Sequence, residues 1–148
     1  EFRRVLFRSY QDALFHISAK NAGIYQPITT STTTLGSVID LDNSISGVVL
    51  FNLECLARTD GSYLPLLEQS RDGTTFTPVD DNYLRFKNAD GSYTTTGQEV
   101  LATLNAVGSK QLGCAPQTRY LRLSIVSTGV TNGATIVTTV AFEKRIKQ

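Results

Sequence analysis

Methionine and tryptophan are absent from this chain of 148 residues, histidine occurs once and cysteine twice. His16 with Cys55 and Cys114 cannot furnish the four ligands of a structural zinc site, and a Ser-His-Asp arrangement would have one candidate base. No apolar run approaches the ~20 residues that a membrane-crossing helix needs. No G-x-S-x-G elbow precedes a helical pattern and no glycine-rich phosphate loop appears. The carboxylate pairs, Asp80 with Asp81 and Asp40 with Asp42, fall in turn-like stretches and read as solvated groups rather than as a glycosidase pair. The sequence therefore argues against an enzyme, and no cofactor, metal or small-molecule substrate is expected.

The formal charge is +1, from 14 basic and 13 acidic residues. Residues 1–9, Glu1-Phe2-Arg3-Arg4-Val5-Leu6-Phe7-Arg8-Ser9, resemble the conceptual translation of a sequencing adapter at the end of a contig, which implies an environmental, metagenomic sequence. A chain that starts without methionine agrees with that reading, so residues 1–9 are set apart from the fold and residues 10–148 are expected to form one domain with an N-terminal arm. The nine residues contribute three arginines and one glutamate, so without them the balance turns from +1 to −1. The case for a nucleic-acid partner goes with them, because phosphate binding needs clustered Lys and Arg.

Present in quantity are threonine, valine, glycine and aromatic residues, the composition of an all-β domain. The clearest organisation runs from Val48 to Val79. Val49, Phe51, Leu53 and Cys55 are apolar at alternate positions while Asn52 and Glu54 fill the other phase, as in a strand with one face in a core. Asp60-Gly61-Ser62 breaks this run, Tyr63 to Gln69 resumes it, and Asp72-Gly73 turns it toward Thr75 to Val79. Cys55, in the apolar phase, reads as a buried free thiol; two cysteines permit a disulfide without arguing for one.

Elsewhere the signals are shorter. Tyr10 to Ala22 fits a short helix or an extended arm, and Gly23 and Pro27 bound an irregular segment. Thr29 to Thr34 reads as an edge strand that continues to Leu41, with Ile39 and Leu41 on one face. Asp40-Leu41-Asp42-Asn43-Ser44 places oxygens as a calcium loop does, but Ile45 and Phe51 occupy the positions that require glycine and glutamate. Asp80 to Gly97 is polar and reads as a protruding loop or an extra hairpin; its Asp90-Gly91-Ser92-Tyr93 echoes Asp60-Gly61-Ser62-Tyr63 through shared hairpin chemistry. Gln98 to Ala106 fits a helix or a strand. Arg119 to Val126 is the cleanest strand, with Leu121, Leu123 and Ile125 inward and Arg122 and Ser124 outward. After a turn at Thr131-Asn132-Gly133 the last strand, Thr135 to Phe142, directs Ile136, Val140 and Phe142 inward. About eight strands at this spacing predict an antiparallel β-sandwich or a jelly roll.

Asp12-Ala13-Leu14 with Ser18-Ala19, then Thr33-Thr34-Leu35-Gly36-Ser37-Val38-Ile39-Asp40-Leu41, then Arg119-Tyr120-Leu121-Arg122-Leu123 follow one another in an order that resembles the small capsid cement (decoration) proteins of tailed bacteriophages. The departure is Asp80 to Gly97, longer and more polar than the middle of that family. The resemblance implies a jelly-roll-like virion protein made in the bacterial host cytoplasm. It would form a homodimer on the outer surface of an HK97-type capsid and clamp neighbouring major capsid protein subunits, with no nucleic acid or membrane partner. The expected capsid contacts are Phe15, Arg119 and Arg122, the arginines because their guanidinium forks suit partner carboxylates. On that expectation Arg122→Glu leaves the thermal midpoint of the isolated protein nearly unchanged.

The rival reading is a carbohydrate- or receptor-binding β-sandwich such as a phage tail component, with Tyr63, Tyr83, Phe86 and Tyr93 as a stacking platform. An exposed aromatic row would favour it, whereas a two-fold apolar patch would favour the cement reading.

Overall fold

The computed structural model describes residues 17–41, 48–88, 90–94 and 98–143. The strands are β1 (Ile17–Ile28), β2 (Thr33–Thr34), β3 (Ile39–Asp40), β4 (Val49–Arg58), β5 (Ser62–Ser70), β6 (Thr77–Pro78), β7 (Leu84–Lys87), β8 (Tyr93–Thr94), β9 (Gly108–Cys114), β10 (Tyr120–Thr128) and β11 (Ala134–Glu143). A four-residue helix, α1 (Gln98–Leu101), precedes β9. One sheet has the order β1-β11-β4-β9-β7-β8, the other β2-β10-β5-β6 with β3 also paired to β10. The ladders are antiparallel.

Thr34 lies opposite Ile125 and Ile39 opposite Leu121, so β2 and β3 occupy one edge of β10 as a single interrupted strand. With β7 and β8 set aside as an inserted hairpin, the remaining eight strands run 1-8-3-6 in one sheet and 2-7-4-5 in the other. This is the strand order of a jelly roll, two Greek keys wound into facing sheets. The polar stretch from Asp80 supplies the inserted hairpin, which joins the six-stranded sheet where Phe86 meets Leu112.

Burial follows the two-residue period. Val49, Phe51, Leu53 and Cys55 of β4 face Leu121, Leu123 and Ile125 of β10 across the core, together with Ile136, Val140 and Phe142 of β11 and Ile39 and Leu41. Cys55 and Cys114 are both buried free thiols. Cys114 lies opposite Val49 and Cys55 opposite Gly108, which separates them by six ladder positions, roughly 20 Å, too far for a bridge.

Three segments depart from the sequence reading. The stretch around Gly23 and Pro27 is part of β1, which bulges between Asn21 and Tyr25. Gly23 takes φ +99°, and a Cβ there would sit 2.1 Å from the backbone nitrogen of Ser37. Gln98 to Ala106 divides between the two readings: α1 is helical, and Leu104 then exchanges backbone hydrogen bonds with Tyr63 (3.0 and 2.9 Å). Ser124, expected on the outer surface, is fully buried. It faces outward opposite Leu66, between Arg122 and Val126, and a small hydroxyl side chain among larger neighbours is covered by them.

The outer edge of β5 is closed piecemeal. Tyr63 pairs with Leu104, Leu67 accepts the Val79 N–H at 3.0 Å, and the Leu67 N–H donates to Glu99 Oε1 at 2.8 Å. Pro65 lies between these contacts, a residue with no N–H to leave unpaired at a sheet edge.

Candidate functional site

Of the three expected contact residues, Phe15 lies outside the described residues, as do His16 and residues 1–9. Arg119 and Arg122 project from β10 and its approach, and both guanidinium groups are engaged within the chain. Arg119 Nε and Nη2 donate to the two oxygens of Asp40 at 2.8 and 3.0 Å, a bidentate pair that ties β10 to β3. Its guanidinium also lies 5.2 Å from the Tyr120 ring centroid. Arg122 donates to Glu68 Oε1 from Nη2 at 2.9 Å and from Nε at 3.3 Å, and its guanidinium covers the Phe76 ring at 4.1 Å. Arg122 and Glu68 are directly opposite in the β10–β5 register, and their side chains are 19% and 14% exposed. This is a partly desolvated cross-strand pair capped by an aromatic ring rather than an open fork. Arg119 and Asp40 are more exposed, at 38% and 46%. A partner carboxylate at either arginine would have to displace or share one that belongs to this chain.

The aromatic platform is not assembled. Tyr63 is fully buried and its hydroxyl donates to the Asp60 carbonyl at 2.9 Å. Tyr83 is 39% exposed and Phe86 half-buried, while the side chain of Tyr93 lies outside the described residues. Exposed apolar groups occur instead on the outer face of the six-stranded sheet. There the register aligns Tyr25 with Val137 and Glu54, Asn21 with Thr139 and Asn52, and Ala141 with Leu50 and Gly113. Tyr25 is 71% exposed and Leu50 40%. Among the described residues at these registered positions of β1, β11 and β4, Glu54 carries the charge. No three His, Cys, Asp or Glu side chains gather as metal ligands among the described residues, and no described helix is long and apolar enough to cross a membrane.

No family model matches the chain, and no curated protein matches it in sequence. Among solved structures it is similar to the SPBc2 prophage-derived protein YomS, with TM-score 0.49 and 9% identity over 84% of this chain and 94% of that one. It is also similar to PirA, with TM-score 0.38 and 8% identity over 86% of this chain and 93% of that one. A third likeness is to dimeric latent PorU from Porphyromonas gingivalis, with TM-score 0.39 and 13% identity over 90% of this chain but 13% of that one. None of the three assigns a partner or an activity to this chain.

Two carboxylates whose roles the sequence hides hold loops in place. Asp60 accepts the backbone N–H groups of Thr131, Asn132 and Gly133 at 2.9 to 3.1 Å, and these donors hold its carboxyl below the usual carboxylate range. The Asp-Gly signal marks the turn but not the second loop that the side chain clasps. Glu99, in α1, reaches the β5 edge from 32 residues away, and burial pushes its carboxyl above the ordinary value despite the Leu67 N–H. No local pattern announces that contact.

Proposed function

We propose that the chain is a virion structural protein that binds the outside of an assembled tailed-phage capsid as a homodimer and stabilises it, without catalytic activity. The observation that carries the reading is that Thr33 to Leu41 and Arg119 to Leu123, two of the segments on which the resemblance to cement proteins rests, are neighbours in one sheet of a jelly roll. The Asp40–Arg119 ion pair joins them across 79 positions of sequence. Their joint presence then reflects one structural unit rather than two unrelated strands. The outer face of the six-stranded sheet adds support, since it exposes Tyr25 and Leu50 with Arg85 farther along it, and aromatic residues and arginine are enriched at interfaces.

A protein that binds the assembled lattice and not free subunits stabilises the lattice by mass action. Two contact points per dimer multiply a modest affinity through effective concentration. The test is co-sedimentation of the chain with capsids assembled from the major capsid protein of the phage that carries its gene, run against the same capsid protein unassembled. Pelleting with capsids and not with free subunits is the expected result. Equal binding to both, or none to capsids, refutes the proposal.

A further inference from the structure

The register orders the outer face of the six-stranded sheet into rows. Ala141, Leu50, Gly113 and Arg85 form one row across β11, β4, β9 and β7, and Thr139, Asn52 and Gln111 form the next across β11, β4 and β9. Val137, Glu54 and Ser109 form the third. The first row is apolar up to Arg85, and Val48 adds to it, since its Cγ1 lies 3.5 Å from where a Cβ on Gly113 would stand. The second row carries amides and a hydroxyl. Asn52, Gln111 and Thr139 make no side-chain hydrogen bond among the described residues.

Glu54 and Arg85 are the charged groups of these rows, and neither has an ionic partner among the described residues. Arg85 donates from Nη1 to the carbonyls of Asn82 and Leu84 at 2.9 and 2.6 Å, which holds its guanidinium in place and leaves Nε and Nη2 to spare. Glu54 is paired with Ser109 and Arg85 with Gly113. Each therefore lies one strand from β9, on opposite sides, and two residues from Gln111, in opposite directions. Gln111 stands at the midpoint of the line that joins the two charges, which is roughly 16 Å long at ordinary strand and residue spacings.

This placement makes the face its own complement. Let a second copy be laid on it by a two-fold axis that crosses the line between the charges at right angles, at Gln111. Each copy's Glu54 then lies over the other's Arg85, and the contact occurs twice. With strands about 4.8 Å apart and residues about 3.3 Å apart along them, the axis runs from Gln111 between Asn52 and Leu50 to Ala141. Leu50 meets its own copy beside the small Ala141. Gln111 also meets its own copy, a pairing open to a primary amide because it both donates and accepts. Apolar and amide groups then fill the centre and ion pairs flank it, which is how specific interfaces are built. We infer that a second copy of this chain docks on this face, two-fold about Gln111, with reciprocal Glu54–Arg85 pairs. The inference rests on the homodimer of the proposed function and names the surface that forms it.

The test is sedimentation equilibrium of the full chain over a concentration series, with Glu54→Arg and Arg85→Glu measured singly and as an equimolar mixture. Each reversal alone sets two like-charged pairs across its own dimer and should weaken association about tenfold or more. In the mixed dimer both contacts again join opposite charges, so the mixture should regain the association of the wild type. Gln111→Glu, at an exposed position, sets two carboxylates against each other on the axis and should weaken the dimer as well. A wild type that stays monomeric at every concentration overturns the inference together with the homodimer. A dimer that all three variants leave intact, or a mixture no tighter than the single reversals, overturns this face as the interface. Neither of those last two results touches capsid binding, which the co-sedimentation experiment judges separately.

Discussion

The Asp60 carboxylate receives the backbone N–H of Gly133, 73 positions away, at 2.9 Å, so the loop between β4 and β5 holds the loop between β10 and β11. Thr131 and Asn132 donate to the same side chain, which makes it the shared acceptor of three consecutive amides.

Asp60→Asn should therefore lower the thermal midpoint at neutral pH, because an amide oxygen carries less charge to those donors. The sign follows from the depressed carboxyl. Its stabilisation is present above the ordinary value of 3.8 and is lost as pH falls through the lower folded value. Thermal melts of the wild type and the variant should differ most at neutral pH and converge in strong acid. A difference that does not change with pH would show that the carboxylate charge is not what the three amides use.

Asp90 opens the same four-residue sequence as Asp60, yet among the described residues its side chain bonds locally, to the Ser92 N–H and hydroxyl. The turn itself was legible in both, since Gly61 and Gly91 take nearly the same positive φ, 89° and 88°. What the second loop offers Asp60 depends on the winding of the whole chain. The core was legible for a similar reason: a two-residue period in β4, β10 and β11 leaves one consistent assignment of faces. It failed at Ser124, where burial comes from the size of neighbours and not from phase. Arg122 was read as outward, but outward on a sheet also means beside a cross-strand neighbour, here Glu68. The carboxylates of Asp40 and Glu68 belong to strands whose register no single segment reveals.

Glu99 carries the opposite sign to Asp60. Its raised carboxyl means that the folded chain holds a proton more tightly than the unfolded chain just above the ordinary value of 4.5. Stability should then fall as pH rises through that window, as charge builds on a partly buried group. Glu99→Gln keeps an oxygen for the Leu67 N–H and removes the desolvated charge. Its thermal midpoint at neutral pH should equal or exceed that of the wild type, with the dependence in that window flattened. Glu99→Ala, which leaves the Leu67 N–H without this acceptor, should cost about 1–3 kcal/mol in chemical denaturation.

Arg122→Glu no longer has the neutral effect on stability that an open fork would allow. It sets two carboxylates directly opposite each other on β10 and β5 and strips the cation from the Phe76 ring. A loss of roughly 1–3 kcal/mol is expected in urea denaturation. The double exchange Arg122→Glu with Glu68→Arg should recover part of it by restoring opposite charges. If the single variant is as stable as the wild type, the cross-strand pair contributes nothing and Arg122 is again available to a partner.

Gly36 is where the jelly roll depends most narrowly on one residue. It lies between β2 and β3, and a Cβ there would stand 1.9 Å from the Leu123 carbonyl oxygen and 2.8 Å from that of Ala22. Both obstacles are backbone, one from each sheet, so neither can rotate aside. The next residue, Ser37, donates its N–H to the same Ala22 carbonyl at 3.0 Å, which fixes the segment between β1 and β10. Gly36→Ala should cost more than the ~1–3 kcal/mol of ordinary core overpacking, because relief requires the β2–β3 segment to leave the edge of β10. Hydrogen exchange would then rise at Ser37 and Leu41 first, whose amides bond across this seam to Ala22 and Arg119. Gly91→Ala, where nothing lies within 4 Å, is the control: it introduces only positive-φ strain and should leave those two amides protected.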